Sequence, residues 1–263
     1  MWLGGALPGH DGFVDHRERR RHGPALPGLL VACVLAGLVL LRDPGASGDR
    51  LRELFGTQER RAEVVALPAG AGEYEFAATQ PGSEEPVSWN PCRDIEYVVN
   101  PAGAPAHWPQ LVERSIATLS EATGFRFVYG GETDDRNFTS RIGALGRSAP
   151  VLIGWADAEE VEELAGDVAG VGGAAYLEST GRWTYTTGMV VLDTDVFVDL
   201  PPGSDPRELD LQAAILDHEL GHVVGLGHVD SREELMYADN VGRTSFGTGD
   251  LQGLALLGAA PCS

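Results

Sequence analysis

Apolar and polar positions change period several times along this chain, and each change marks an expected element. The first strong signal is an uncharged apolar run from Leu26 to Leu41, which shows no polar face. Much later, Ile95, Tyr97 and Val99 alternate in "IEYVVN", the period of two that marks a half-buried strand. In "HWPQLVERSIATLSEATG" the spacing lengthens. Leu111, Ile116, Leu119 and Ala122 fall at helical intervals, and Gly124 supplies the stop. "FRFVYG" and "APVLIGWA" read as further strands, separated by a polar, glycine-rich loop. "DVAGVGGAAYLES" and "WTYTTGMVVLDTDVF" are strand candidates as well, the second carrying a buried-type run from Met189 to Leu192. From "GSDPRELDLQAAILDHELGHVV" the pattern is helical, with Asp205 as N-cap, Pro206 at the first helical position and Glu208 placed to close a capping box. A short apolar helix follows in "TGDLQGLALLG". Strands, a helix, more strands and two late helices make an α+β domain.

Between the first apolar run and this domain, residues 42–85 are rich in Gly, Ala, Pro, Glu and Arg and lack sustained periodicity. They read as a flexible linker or short pro-segment. Residues 1–24 contain the basic cluster "HRERRRH", and residues 25–41 hold the apolar run, the layout of a signal peptide or an N-terminal membrane anchor. Either form leaves the arginines in the cytoplasm and exports the rest, so the expected location is extracytoplasmic, secreted or anchored. The formal net charge is -20, which disfavours nonspecific attachment to nucleic acid or to an anionic membrane surface. Membrane contact is expected only through the N-terminal run. In an oxidising compartment Cys92 and Cys262 read as a disulfide, a free or metal-bound Cys92 being the alternative.

The candidate chemistry lies in "HELGHVVGLGH". His218 and His222 are four residues apart, so on a helix both imidazoles project from one face and can grip one ion. Glu219 stands beside the first, placed to reach a water without ligating the metal, as a general base requires. Gly225 allows a left-handed helix end, and the returning chain can bring His228 to a third position, leaving a fourth open.

This stretch resembles the HExxHxxGxxH signature of the metzincin zinc proteases. Met236 in "ELMY" resembles their Met-turn, and its spacing and the adjacent Tyr237 resemble the matrixin branch. "DLQGLALLG" and "IEYVVN" are similar to the closing helix and the first strand of matrixins, so the likeness covers residues 86–263. The resemblance implies a metzincin-like α+β zinc protease domain: a mixed twisted sheet with an active-site helix and a C-terminal helix. It implies one catalytic Zn2+ on His218, His222 and His228, Glu219 as base, and a protein or peptide substrate; a monomer is the default expectation, with nothing in the sequence to set the oligomeric state. Gly172, Gly173 and Ala174 would lie on the edge strand that pairs with substrate, their small size admitting a peptide backbone. Tyr237 would line the specificity pocket.

The chain also departs from the family. The PRCGVPD latency switch is absent, and His107 is the one further histidine in the domain, which leaves no set for a second, structural zinc. Asp193 and Asp195 are candidates for a Ca2+ site. Two other readings stay open: a noncatalytic extracellular binding module with a structural zinc, and a hydrolase of small peptides or amides.

Overall fold

The computed structural model describes residues 59–179, 181–199, 206–239 and 242–263. The apolar run at 26–41 and Asp205 lie outside these residues. Among the described residues no helix is long and apolar enough to cross a membrane.

In chain order the elements are β1 (Ser88–Trp89), β2 (Ile95–Val99), α1 (Trp108–Thr123), β3 (Phe127–Glu132), β4 (Val151–Ala156), β5 (Gly170–Ser179), β6 (Arg182–Asp193), α2 (Thr194–Asp199), α3 (Pro206–Val224) and α4 (Thr248–Gly258). Strands β3, β2, β4 and β6 lie side by side and parallel, while β5 pairs antiparallel along almost all of β6. Because β5 occupies one edge of β6, β1 and β4 share the other. The sheet is therefore mixed, as the family resemblance implies.

Strand β4 reads VLIGWA and is buried at every position, the near-continuous apolar run of a strand covered on both faces. Val151, Ile153 and Trp155 belong to the main core with residues of α1, α3 and α4. Leu152 and Ala156 point the other way, against Phe138, Val161 and Leu164. At Gly154 the Phe138 ring takes the space a side chain would need, its Cζ only 2.7 Å from where a Cβ would stand. The loop carrying Phe138 is fastened by arginine. Arg141 Nη1 meets Asp135 at 2.5 Å and its Nη2 donates to Pro150 O at 2.7 Å, while Arg136 grips both oxygens of Glu160 and donates to Trp155 O.

Helix α1 stops where expected: Gly124 adopts φ 72° and donates to Ser120 O. His107 Nε2 lies 2.6 Å from Gln212 Oε1, tying the entry of α1 to α3. Helix α4 carries an almost unbroken apolar surface because it is buried nearly all round. β1 anchors the ends of both late helices, Trp89 Nε1 donating to Val223 O and Ser88 Oγ to Leu257 O. Cys92 and Cys262 are joined as a disulfide, their Cα atoms 5.6 Å apart.

Residues 59–85 differ from the flexible linker that their composition suggests. Arg60 donates to Gly258 O and Ala260 O at the end of α4, both at 2.6 Å. The Gln252 amide on α4 holds Pro68 O and Gly70 O, and Gln80 pairs with both backbone groups of Trp183. Composition alone misses this because the ties run from polar side chains to backbone groups distant in sequence, which leave no apolar period.

The calcium expectation also meets a different use of its residues. Asp193 Oδ1 accepts from Asp195 N at 2.7 Å and Val196 N at 3.4 Å, so its carboxylate caps α2. Neither aspartate joins a cluster of possible metal ligands among the described residues.

Candidate active site

Helix α3 presents His218, Glu219 and His222, then ends as its glycine predicts. Gly225 has φ 119° and donates to Gly221 O and His222 O, and Leu226 N also bonds to Gly221 O. The chain reverses, buries Leu226 and delivers His228 to the helical pair. The three Nε2 atoms stand 3.0 to 3.2 Å apart. For a tetrahedral zinc with Zn–N of about 2.0–2.1 Å, the nitrogens would be separated by roughly 3.3–3.4 Å, close to what is observed.

Hydrogen bonding fixes what these nitrogens are. His218 Nδ1 lies 2.8 Å from Leu235 O, and His222 Nδ1 lies 2.8 Å from Leu226 O. A carbonyl only accepts, so both Nδ1 atoms carry the proton and both Nε2 atoms turn bare lone pairs toward each other. Bare lone pairs repel unless a cation sits between them. Burial lowers the pKa of all three histidines, that of His222 to about 4, so the neutral, ligating form is favoured. The residues present thus fit a zinc ion.

Met236, 1% exposed, lies under the helical pair. Its Sδ is 2.7 Å from where a Cβ on Gly221 would stand, so the helix must be bare between the two histidines. Met236 O accepts from Val229 N, tying this turn to the residue after His228. A residue that the sequence pattern did not flag holds the turn. Asp250, fully buried on α4, accepts from Leu235 N at 2.5 Å, Met236 N at 3.4 Å and Gly247 N at 2.9 Å. Leu235 O in turn orients His218. The one charged residue in α4 was the available signal.

Glu219 is 7% exposed, and its pKa is pushed up to about 8, mainly by burial, against a hydrogen bond from the Gly172 backbone that favours the carboxylate. It lines a cleft of about 490 Å3 with the three histidines, the 167–172 stretch, Ala214, Ile215 and Tyr237. The Arg232 guanidinium lies over the Tyr237 ring at 5.5 Å. Arg243 also lines the cleft, its Nε buried without a partner, and nothing in the sequence pattern distinguishes it.

The small residues of β5 also have a packing reason. A Cβ at Gly172 would overlap the carbonyl oxygen of Glu219, and one at Gly170 would stand 2.9 Å from Glu219 Cγ. Ala174 packs against the core from the same face of the strand, whereas Gly173 has open space around it. Thus Gly172 admits helix α3. The outer edge of β5 pairs with no other strand among the described residues.

Imidazoles that converge through unprotonated nitrogens beside an open cleft, over a buried methionine, define a metallopeptidase of the metzincin class. Within it the chain belongs to the matrixin family: the matrixin model of the M10 peptidases matches residues 123–254, half of the chain. The family is one of zinc-dependent metalloproteases. The match runs from the end of α1 into α4 and takes in the whole histidine motif. A comparison with curated proteins gives no match.

Proposed function

We propose that the domain is a zinc endopeptidase acting on proteins or peptides outside the cytoplasm. The observation that carries this reading is the convergence of three Nε2 atoms within 3.2 Å, two of them stripped of protons by their carbonyl partners. His218, His222 and His228 hold the metal. A zinc ion bound there supplies a Lewis acid for the scissile carbonyl and makes a neighbouring water more acidic.

Glu219 is the general base. Its carboxyl lines the cleft beside the three histidines, and a hydrogen bond from the Gly172 backbone favours the ionised form a base needs. The proton taken from water goes on to the leaving amine. Met236 forms the apolar floor, and Tyr237 lines the wall of the pocket receiving the side chain beyond the cut. The peptide extends along the unpaired edge of β5 near Gly172, Gly173 and Ala174, adding a strand. A noncatalytic structural site would be expected to complete its shell with a protein ligand, and the cluster among the described residues stops at three histidines.

Export through the residue 25–41 segment, cleaved as a signal or kept as an anchor, accords with the disulfide. The direct test is proteolysis of casein or a peptide library. Activity should vanish with a chelator and return with zinc. Glu219→Gln should keep zinc in the purified protein but lose at least about 1000-fold in kcat/KM. Retained activity in that variant would exclude the mechanism.

A further inference from the structure

Residues 72–77 hold the turn that carries the third histidine, from both sides. Before His228, Ala77 N donates to Gly225 O at 2.9 Å and Gly227 N donates to Glu75 O at 2.8 Å, which makes a short antiparallel bridge between Phe76 and Leu226. After His228, Asp230 N donates to Glu73 Oε1 at 3.3 Å. The segment itself is seated. At Gly72 it crosses Gly249 on α4 so closely that a Cβ on Gly72 would overlap the Gly249 backbone and one on Gly249 would overlap the Glu73 backbone. Glu73 N bonds to Glu234 Oε1, Tyr74 packs over Gly253, and Phe76 packs against the main core.

The other two histidines need no such help. His218 and His222 ride on a buried helix, and each has its Nδ1 fixed by a carbonyl. His228 sits in a turn between two glycines and an exposed aspartate, and the strap gathers that turn. None of residues 59–85 lines the cleft, so removing them is not needed to open it.

We infer that residues 72–77 are a permanent part of the catalytic unit, a positioning strap that sets the His228 turn and thereby the metal affinity. This rests on the reading of His228 as a ligand. Fixing a ligand before the metal arrives removes an ordering cost, and loss of such outer contacts costs about 10–100-fold in metal affinity. A segment with this duty remains on the active enzyme.

The test uses two strap variants of the full chain. Gly72→Leu prevents the strap from seating on Gly249, and Ala77→Pro removes the donor to Gly225 O. Zinc affinity is read by competition with a chromophoric chelator, and hydrogen exchange at the Gly227 amide is read in the zinc-free protein. Both variants should keep the far-ultraviolet circular dichroism of the parent. They should bind zinc about 10–100-fold more weakly and exchange the Gly227 amide at least about tenfold faster. Unchanged Gly227 exchange in both variants, or parental zinc affinity in both, overturns the strap. A parent protein that binds no zinc would remove the peptidase reading, and the exchange rates alone would then decide whether the strap orders the turn. Activity recovered only after proteolytic removal of residues 59–80 would also overturn it.

Discussion

At the scale of single residues, two adjacent glycines on β5 differ in what surrounds them. Gly172 faces the backbone of Glu219, while Gly173 faces open space. Gly172→Val must push α3 away from the sheet, so a large fall in melting temperature with loss of proteolysis is expected. Gly173→Ala should fold normally, and only its KM should move if a peptide lies along that edge. Equal tolerance of both changes would contradict the packing described for Gly172. Met236 invites a similar comparison. Its truncation to alanine empties a fully buried site under the histidines and should cost about 2–5 kcal/mol in denaturant unfolding. His218 and His222 were legible in the sequence because helical periodicity puts them on one face, and His228 because Gly225 marked where the helix ends and the chain turns back. The reason for glycine at 172 was not, since it depends on an approach between elements some fifty residues apart.

Among the elements, the Met236 turn depends on α4 through Asp250. Asp250→Ala would leave three buried backbone donors without an acceptor, each costing about 1–3 kcal/mol. The variant should unfold several kcal/mol more easily and bind zinc more weakly, because Leu235 O would no longer be fixed against His218. Asp250→Asn keeps one acceptor oxygen and should lose less.

The arginine-fastened loop predicts a pH effect. Hydrogen bonding from Arg141, then from the Asn137 backbone, holds the Asp135 carboxyl below its usual 3.8. The sign follows from linkage: a lowered folded pKa favours the fold above 3.8, and that contribution fades as pH falls through the folded value. Amide protection across residues 133–150 should therefore persist to pH 4 and decline below it. In Arg141→Met that acid-dependent decline should be smaller, the Asn137 backbone and the Arg136–Glu160 pair supplying what remains. Periodicity foretold this loop as polar and glycine-rich, yet could not show which arginine meets which acid. Such pairs are set by chain reversal, which leaves no local pattern.

For the molecule as a whole, the sheet and the late helices agree with what patterning and resemblance imply, and Cys92 and Cys262 are joined. The N-terminal margin of the catalytic unit does not follow from them. Strand alternation starts at Ile95, so hydropathy marks a boundary near 86, whereas the Arg60 guanidinium, bonded to carbonyls at the end of α4, carries the packed unit back to residue 60. The disulfide closes a separation of 170 residues, for which restricting the unfolded chain is worth about 5 kcal/mol. Reduction, or replacement of both cysteines by alanine, should lower the denaturant midpoint accordingly while leaving zinc stoichiometry at one. A loss of the metal on reduction would mean that Cys92 has a closer tie to the site than its partner allows.

Arg60 reaching the carbonyls at 258 and 260 has a topological consequence. The two extremities of the packed unit are neighbours in space, so the polypeptide nearly forms a ring. A permuted gene that joins Ser263 to residue 59 through a short glycine-serine bridge, and opens the exposed hairpin beside Gly181, should yield a folded domain with the same histidine geometry. The order in which the ribosome delivers the strands would then be separable from the architecture they reach.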